Sequence, residues 1–215
     1  ADYRLIAFDM DSTLINIECV DEIADAVGRK EEVAAITAAA MRGEIADYKD
    51  SLRRRVALLA GVPVAALEEV YNRRLQLNPG AEELVRRCQD AGLRTLLVSG
   101  GFTFFTDRLC ERLGLDFSRS NQLEIVDGHL TGRMVDQGWG DICDGDEKRR
   151  MLLLTCAELG VEPNQAIAMG DGANDLPMMA VAGLSVAHHA KPKVREQAMA
   201  AIHSGGLDRL LEVLR

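Results

Sequence analysis

The pattern of apolar and polar positions along the chain predicts one early strand, a run of helices, and then strands alternating with helices. A short apolar run at residues 3–8 is typical of a buried parallel strand. From Ile17 to Leu75, apolar positions recur at helical spacing and stop at glycines, which predicts four helices and no strand. After the turn at residues 78–80, the spacing of apolar positions changes.

The second part of the chain predicts alternating elements. They are a helix at 81–91, a strand at 93–98, a helix after 99–101, a β-hairpin at 121–135 with its turn at Asp127-Gly128, a helix at 147–159, a strand at 166–169, a helix at 174–182 and a strand at 184–187. The remaining residues are predicted to be helical.

This order of elements indicates an α/β fold. Strands that alternate with helices imply right-handed crossovers and a doubly wound parallel sheet, here with a β-hairpin flap. The first strand comes before the helical run and the other strands follow it. We therefore expect a core domain made of residues 1–16 plus 76–215, and a small inserted helical domain at residues 17–75.

The composition is that of an ordinary globular protein. Of the 215 residues, 47% are hydrophobic and 27% are charged, and the formal net charge is −9 at pH 7. An acidic chain lacks the basic surface that nucleic-acid binding requires, and no apolar run approaches the roughly 18 residues that span a bilayer. The five cysteines are far apart and form no C-x-x-C motif, so we expect reduced core thiols and a cytoplasmic protein.

Polar residues follow three of the predicted strands at the point where each strand ends. Asp9 and Asp11 follow the first, residues 99–101 (SGG) follow the second, and residues 170–172 (GDG) follow a later one. Ligands of doubly wound sheets bind at the carboxyl ends of the strands. We therefore expect these groups, together with Asp175, to meet at one site.

Four carboxylates at one site repel one another unless a cation neutralises them. Carboxylate oxygens favour Mg²⁺, and small residues at the starts of helices favour a phosphate group. Metal and phosphate together indicate phosphoryl transfer. We expect Asp9, held ionised by Mg²⁺, to attack phosphorus, and Asp11, with a raised pKa, to carry the proton. Thr13 and Ser99 can bond phosphate oxygens, and a lysine is still needed.

Four short motifs together carry a family resemblance. In order, they resemble those of the haloacid dehalogenase superfamily of phosphotransferases: "DMDST" (9–13), "SGG" (99–101), Lys148 and "GDGAND" (170–175). Lys148 is the only lysine between positions 50 and 190. Further segments resemble the phosphoserine phosphatase family within it, namely Glu18, "SLRRRV" (51–56), "LEIVDGHLTG" (123–132) and "GDGANDLPMM" (170–179).

The resemblance implies a role for each carboxylate. Asp9 would be the nucleophile and a ligand of Mg²⁺. Asp11 would be the general acid and base, with its backbone carbonyl also on the metal. Asp171 would be the third protein ligand, and Asp175 would lie behind the ligands and shape the site.

The resemblance also implies how substrate is held. The phosphate would be bound by Ser99, Gly100 and Lys148, and Asn174 would help to shape the site around it. The helical insertion would be a mobile cap that closes over the site. From the cap, Glu18 would bind the ammonium group of the substrate and Arg55 its carboxylate, while Met41 and Tyr48 would line the pocket.

The two cap charges also make chemical sense without the resemblance. A free amino acid carries one cation and one anion, and an arginine can bind the carboxylate through two hydrogen bonds. Residues 53–55 are consecutive arginines, so helical spacing alone leaves open which one points inward. Arg55 lies one turn from Leu52 and Leu59, which favours Arg55, and the resemblance selects the same residue.

The function that follows is Mg²⁺-dependent hydrolysis of O-phospho-L-serine through an aspartyl-phosphate, the last step of serine biosynthesis, by a monomer or a homodimer. One alternative is a phosphotransferase that passes the phosphoryl group to another alcohol such as homoserine. A second is a non-catalytic module that binds a phosphorylated ligand. Taken singly, each motif also has a structural explanation, since Asp-x-Asp can cap a helix and SGG can form a turn.

Overall fold

The computed structural model describes residues 2–214, which form one seven-stranded sheet flanked by helices. The strands are β1 (Leu5–Phe8), β2 (Arg94–Phe102), β3 (Phe117–Val126), β4 (His129–Val135), β5 (Ala166–Gly170), β6 (Leu184–His188) and β7 (Ala200–Ile202). The α-helices are α1 (Cys19–Ala26), α2 (Lys30–Met41), α3 (Tyr48–Ala57), α4 (Val64–Glu69), α5 (Ala81–Asp90), α6 (Thr103–Leu113), α7 (Gly145–Leu159), α8 (Leu176–Val181) and α9 (Pro192–Gln197).

The sheet has the order β4-β3-β2-β1-β5-β6-β7. β1 pairs in parallel with both β2 and β5, and β4 alone runs antiparallel to its neighbour, β3. The four residues of β1 are apolar and all are buried, which suits the central position of that strand. The doubly wound α/β fold predicted from the sequence is therefore confirmed.

Helices cover both faces of the sheet, and alternate residues of β1 point to opposite faces. Ile6 and Phe8 pack in the same apolar cluster as Leu84 of α5 and Phe105 of α6. Leu5 and Ala7 belong to a second cluster, with residues of α7, α8 and α9. This two-sided burial fixes the direction of β1 and with it the position of the residues that follow it.

Helices α1 to α4 lie between β1 and β2 in the chain. The chain leaves the sheet and returns to it side by side, since Ile15 bridges Leu77 and Asn16 N–H donates to the carbonyl of Gln76 at 3.0 Å. The helices of this insertion share an apolar cluster with one face of the sheet. Helix α3 also packs closely on β4, where Gly132 lies against the backbone of Ala57.

The structure differs from the sequence expectations in three places. β2 continues through residues 99–101 to Phe102, beyond the predicted end of the strand at residue 98. β3 begins at Phe117, before the predicted hairpin, because its first part pairs in parallel with β2. The prediction that everything after residue 187 is helical was wrong, since Ala200–Ile202 forms β7 along β6. An alanine-rich segment carries no strand pattern, and the open edge of β6 decided its conformation.

All five cysteines are unpaired, as predicted, and four of them are buried. Among the helices of residues 2–214, none is long and apolar enough to cross a membrane.

Candidate active site

The first strand brings two carboxylates to the carboxyl edge of the sheet. Asp9 N–H donates to the carbonyl of Met169 at 2.9 Å, so sheet hydrogen bonding continues up to Asp9. The chain then turns through residues 10–14, with Ser12 in the left-handed region at φ 58°. The turn brings the hydroxyl of Thr13 back to donate to Asp171 Oδ1 at 3.0 Å. The ends of β1 and β5 are thereby joined.

Lys148, in the first turns of α7, is fully buried between two carboxylates. Its Nζ donates to Asp9 Oδ1 and to Asp175 Oδ1, each at 2.7 Å. Burial opposes the charged lysine, but the charges of Asp175 and Asp9 outweigh it and raise the pKa of Lys148 well above its usual range. Burial also raises the pKa values of Asp9 and Asp175, each to about 6, although Lys148 lowers both. One buried positive charge, on Lys148, is therefore shared by two buried carboxyl groups.

Asp171 adds a third acid to this group. Carboxylate oxygens of Asp9, Asp171 and Asp175 lie within 4.8 Å of one another. Asp175 Oδ2 already accepts the backbone N–H groups of Asp171 and Gly172, each at 3.1 Å, and its Oδ1 accepts Lys148. Burial raises the pKa of Asp171 as well. Carboxylates this close and this buried fit a divalent cation of hard, oxygen-preferring type.

Asp11 lies beside this group and is held differently. Its Oδ2 accepts the N–H of Cys19 at 3.2 Å, while its Oδ1 is buried and has no hydrogen-bond partner among residues 2–214. Burial, followed by the nearby charges of Glu18 and Asp9, raises the pKa of Asp11 well above its usual range. The arrangement therefore favours the protonated form of Asp11.

Glu18 precedes α1 at the side of the pocket. It accepts the hydroxyl of Ser12 at 2.7 Å, which orients its carboxylate. The side chain keeps contact with solvent, yet protein surrounds it within the concave pocket, and this burial raises the pKa of Glu18. A carboxylate in this setting is a suitable partner for a cation of the ligand.

The end of β2 supplies polar backbone groups. Ser99 is buried, and its Oγ accepts the N–H of Gly101 at 2.8 Å. The carbonyl of Gly100 accepts the side-chain amide of Asn121 at 2.9 Å. A methyl group at position 100 would overlap the hydroxyl oxygen of Tyr48, so glycine there lets α3 approach the sheet closely.

These groups surround a cavity of about 470 Å³. The site residues predicted from the sequence line this cavity, except for Lys148 and Asp175, which are buried behind it, and Thr13, which is buried and donates to Asp171: Asp9, Asp11, Glu18, Met41, Tyr48, Arg55, Ser99, Gly100, Asp171 and Asn174. Tyr48 and Arg55 reach it from α3, and burial raises the pKa of Tyr48 to about 12. Met41, at the end of α2, lies at the rim and is 71% exposed.

Sequence reasoning missed several residues at this site, and Asn121 and Lys191 are two of them. Asn121 is fully buried and joins the carbonyl of Gly100 to the N–H of Cys143, which its Oδ1 accepts at 2.7 Å. Lys191 lines the cavity, and its N–H donates to the carbonyl of Asp171 at 3.4 Å. Neither residue belongs to a motif, so the only available signal was a polar residue just after or within a predicted strand.

Comparison with known proteins agrees with this geometry. Residues 6–180 match the family model of haloacid dehalogenase-like hydrolases. A phosphoserine phosphatase of Polaromonas sp. (strain JS666) is 75% identical over all of this chain and 91% of that protein, and one of Albidiferax ferrireducens is 71% identical over the same shares.

Solved structures give the same result. A structure described as a phospho-aspartyl intermediate analogue of phosphoserine phosphatase has a TM-score of 0.90 at 37% identity, and the match covers the whole of both chains. A substrate-bound phosphoserine phosphatase complex also gives a TM-score of 0.90, at 36% identity over both whole chains. With its fold, its site and these relatives in agreement, the chain belongs to the phosphoserine phosphatase family of haloacid dehalogenase-like hydrolases.

Proposed function

We propose that this protein is a Mg²⁺-dependent phosphomonoesterase that hydrolyses O-phospho-L-serine to L-serine and phosphate. The observation that carries the proposal is the site itself, where Asp9, Asp171 and Asp175 cluster around buried Lys148, beneath a cavity that also holds Glu18 and Arg55. The relatives named phosphoserine phosphatase, at up to 75% identity over the whole chain, support the choice of substrate.

Asp9 and Asp171, together with the backbone carbonyl of Asp11, would hold the metal. Asp175 has both oxygens engaged by Lys148 and by two backbone N–H groups, which suits a residue that supports the ligands rather than one that binds metal directly. When bound, Mg²⁺ supplies positive charge that offsets the clustered carboxylates and the phosphate. A set of carboxylate oxygens matches the preference of Mg²⁺.

The chain's own residues account for the chemistry. In the first step, a carboxylate oxygen of Asp9 forms a bond to phosphorus as the bond from phosphorus to the serine oxygen breaks. We expect Asp11, whose pKa is raised by burial and by the charges of Glu18 and Asp9, to donate its proton to that leaving oxygen. Lys148 stays beside Asp9 and offsets negative charge on the transferring group.

The second step releases phosphate. Asp11, now ionised, takes a proton from water as the water oxygen bonds to phosphorus, and the bond from phosphorus to Asp9 breaks. We expect the hydroxyl of Ser99 and the backbone of Gly100, which line the cavity, to hold phosphate oxygens.

The helical insertion provides groups for the amino-acid part of the substrate. We propose that residues 17–75 act as a cap on a core made of residues 1–16 and 76–215, with Glu18 binding the ammonium group and Arg55 the carboxylate. Tyr48 and Met41 complete the wall of the cavity. The unpaired, mostly buried cysteines suit a cytoplasmic enzyme.

The experiment is phosphate release from phosphoserine by wild type, Asp9→Asn and the matched control Asp90→Asn, with Mg²⁺ or with EDTA. Asp90 is exposed on α5 and lies outside the cavity. We expect Asp9→Asn to lose at least roughly 10³-fold in kcat while keeping its circular dichroism spectrum, and the control to behave as wild type. An Asp9→Asn variant that turns over normally would contradict the mechanism. Diversion of phosphate into homoserine would favour a phosphotransferase.

A further inference from the structure

Three consecutive arginines on α3 lie in three different surroundings. A terminal nitrogen of Arg53 lies 2.7 Å from Asp141 Oδ2, in the segment between β4 and α7. Arg54 pairs with Asp50 one turn earlier in the same helix, at 2.9 Å. Arg55 lines the cavity. Arg53 is thus the arginine of this run that joins the insertion to the core.

Asp141 also receives a second cation from α3. Lys49 Nζ lies 2.9 Å from Asp141 Oδ1, so each carboxylate oxygen takes one charge of the helix. Ile142 N–H also donates to Oδ1 at 2.8 Å and fixes the orientation of the carboxylate. The hydrogen bond from Lys49 lowers the pKa of Asp141 to about 2, so the carboxylate is charged at neutral pH.

Asp141 is also connected to groups of the core that lie at the cavity. Cys143, two residues on, donates its N–H to Asn121 at 2.7 Å, and Asn121 in turn donates to the carbonyl of Gly100 at 2.9 Å. The next residue, Asp144, caps α7 by accepting the N–H of Glu147, and α7 carries Lys148. The backbone from Asp141 to Asp144, together with these hydrogen bonds, therefore connects Asp141 to both Gly100 and the helix of Lys148.

The position of α3 decides which of its side chains reach the cavity. We call these side chains, Tyr48 and Arg55, the roof of the cavity. Tyr48, adjacent to Lys49, meets Gly100 so closely that no side chain fits between them. Arg55 lies further along the same helix and lines the same cavity. A small shift of α3 away from the sheet would withdraw both side chains from the site.

We propose that Asp141 is a positioning residue, which holds α3 over the site through Lys49 and Arg53 so that Arg55 meets the substrate carboxylate. This inference rests on the proposed function. Partly exposed ion pairs each change an equilibrium only modestly. Two of them acting on the placement of α3 are expected to change the KM for phosphoserine roughly three- to tenfold.

The test compares Asp141→Asn with Arg54→Gln, a matched control that removes an ion pair internal to α3. Each is assayed with phosphoserine and with p-nitrophenyl phosphate, which lacks the amino-acid groups that the roof would bind. For Asp141→Asn we expect a higher KM for phosphoserine, little change in kcat, and unchanged kinetics with p-nitrophenyl phosphate. The KM of wild type should rise with salt more steeply than that of the variant, because salt screens the ion pairs. Arg54→Gln should match wild type throughout.

A mutant cycle separates positioning from a general loss of stability. Lys49→Gln/Arg53→Gln should raise the KM as Asp141→Asn does, and the triple variant should be no worse than either, because all remove the same contact. Additive effects, an equal effect on p-nitrophenyl phosphate, or an equal effect of Arg54→Gln would overturn the proposal.

Hydrogen exchange of the backbone amides of α3 tests the contact without any substrate. We expect faster exchange in Asp141→Asn than in wild type and Arg54→Gln. Equal rates in all three proteins would also overturn the proposal that Asp141 positions α3. If wild type failed to hydrolyse phosphoserine, the proposed function would fall, while the exchange rates would still report whether Asp141 holds α3.

Discussion

Replacing Lys148 by methionine tests how the buried charges at the site are balanced. Methionine has a similar length and no charge, so the change removes both 2.7 Å ion pairs while leaving little empty volume. Asp9 and Asp175 would then face each other in the interior without the lysine. The side chains of Lys148 and Asp175 are fully buried and that of Asp9 is 9% exposed, so water can do little to replace the lost charge.

Breaking a buried ion pair from one side costs about 3–5 kcal/mol, because an uncompensated charge stays in the interior. We expect a loss of this size in the free energy of unfolding of Lys148→Met, measured by urea denaturation at pH 7.5 in EDTA. The control Arg150→Met removes a half-exposed arginine that pairs with Glu147 on the same helix, and it should cost at most about 1 kcal/mol. A Lys148→Met loss no larger than that of the control would refute the charge argument.

The loss in the free energy of unfolding of Lys148→Met should also depend on pH, and its direction can be worked out. Burial raises the pKa values of Asp9 and Asp175 to about 6 in the folded protein, above the ordinary value of 3.8. Folding therefore favours the protonated acids, and it should favour them more strongly without Lys148, which lowers both pKa values, so the penalty for their negative charge is lost as the pH falls towards 3.8. The difference between wild type and Lys148→Met should accordingly shrink between pH 7 and pH 4.5. Lys148→Met/Asp175→Asn, with one acid fewer, should recover part of the loss at pH 7.5.

Three further predictions concern Arg55, Gly100 and His188. Arg55→Met should raise the KM for phosphoserine roughly 10- to 100-fold, because a charge-assisted contact is lost, and should leave p-nitrophenyl phosphate turnover nearly unchanged in steady-state kinetics. Gly100→Ala should lower kcat/KM for phosphoserine at least roughly tenfold through its overlap with the Tyr48 hydroxyl, and Tyr48→Phe in the same chain should restore part of that loss. Burial, and then the neighbouring imidazole, lower the pKa of His188 to about 4. The folded protein therefore takes up its proton less readily than the unfolded chain, and the melting temperature should fall as the pH drops from 6.5 to 4, with a weaker fall in His188→Asn.

Much of the sheet and the candidate site could be read from short-range sequence features. The apolar run before Asp9 and the glycines around Asp171 mark strands that end in polar loops, and parallel strands bring their carboxyl ends to one edge. Because the spacing of residues within each motif is short, the geometry within a motif follows from its local backbone. The one lysine between positions 50 and 190 could likewise be assigned from the sequence.

Other features depended on residues far apart in the chain. β7 is an alanine-rich segment that becomes a strand because the edge of β6 offers hydrogen-bond partners. Asn121 is a site residue only because β3 runs beside β2 and aims its amide at Gly100. Neither pairing leaves a local pattern, since it is decided by long-range hydrogen bonding.

The three arginines at 53–55 show most clearly where the sequence stops and the tertiary structure begins. By itself, the sequence determined a helix with three adjacent positive charges in an inserted unit, and a family resemblance selected one of them for the substrate. Only the folded structure decided that Arg53 reaches Asp141, 88 residues away in the chain, that Arg54 stays with Asp50, and that Arg55 lines the cavity. Helical periodicity sets the angle between neighbouring side chains, whereas the partner each one meets is set by how α3 packs on the sheet.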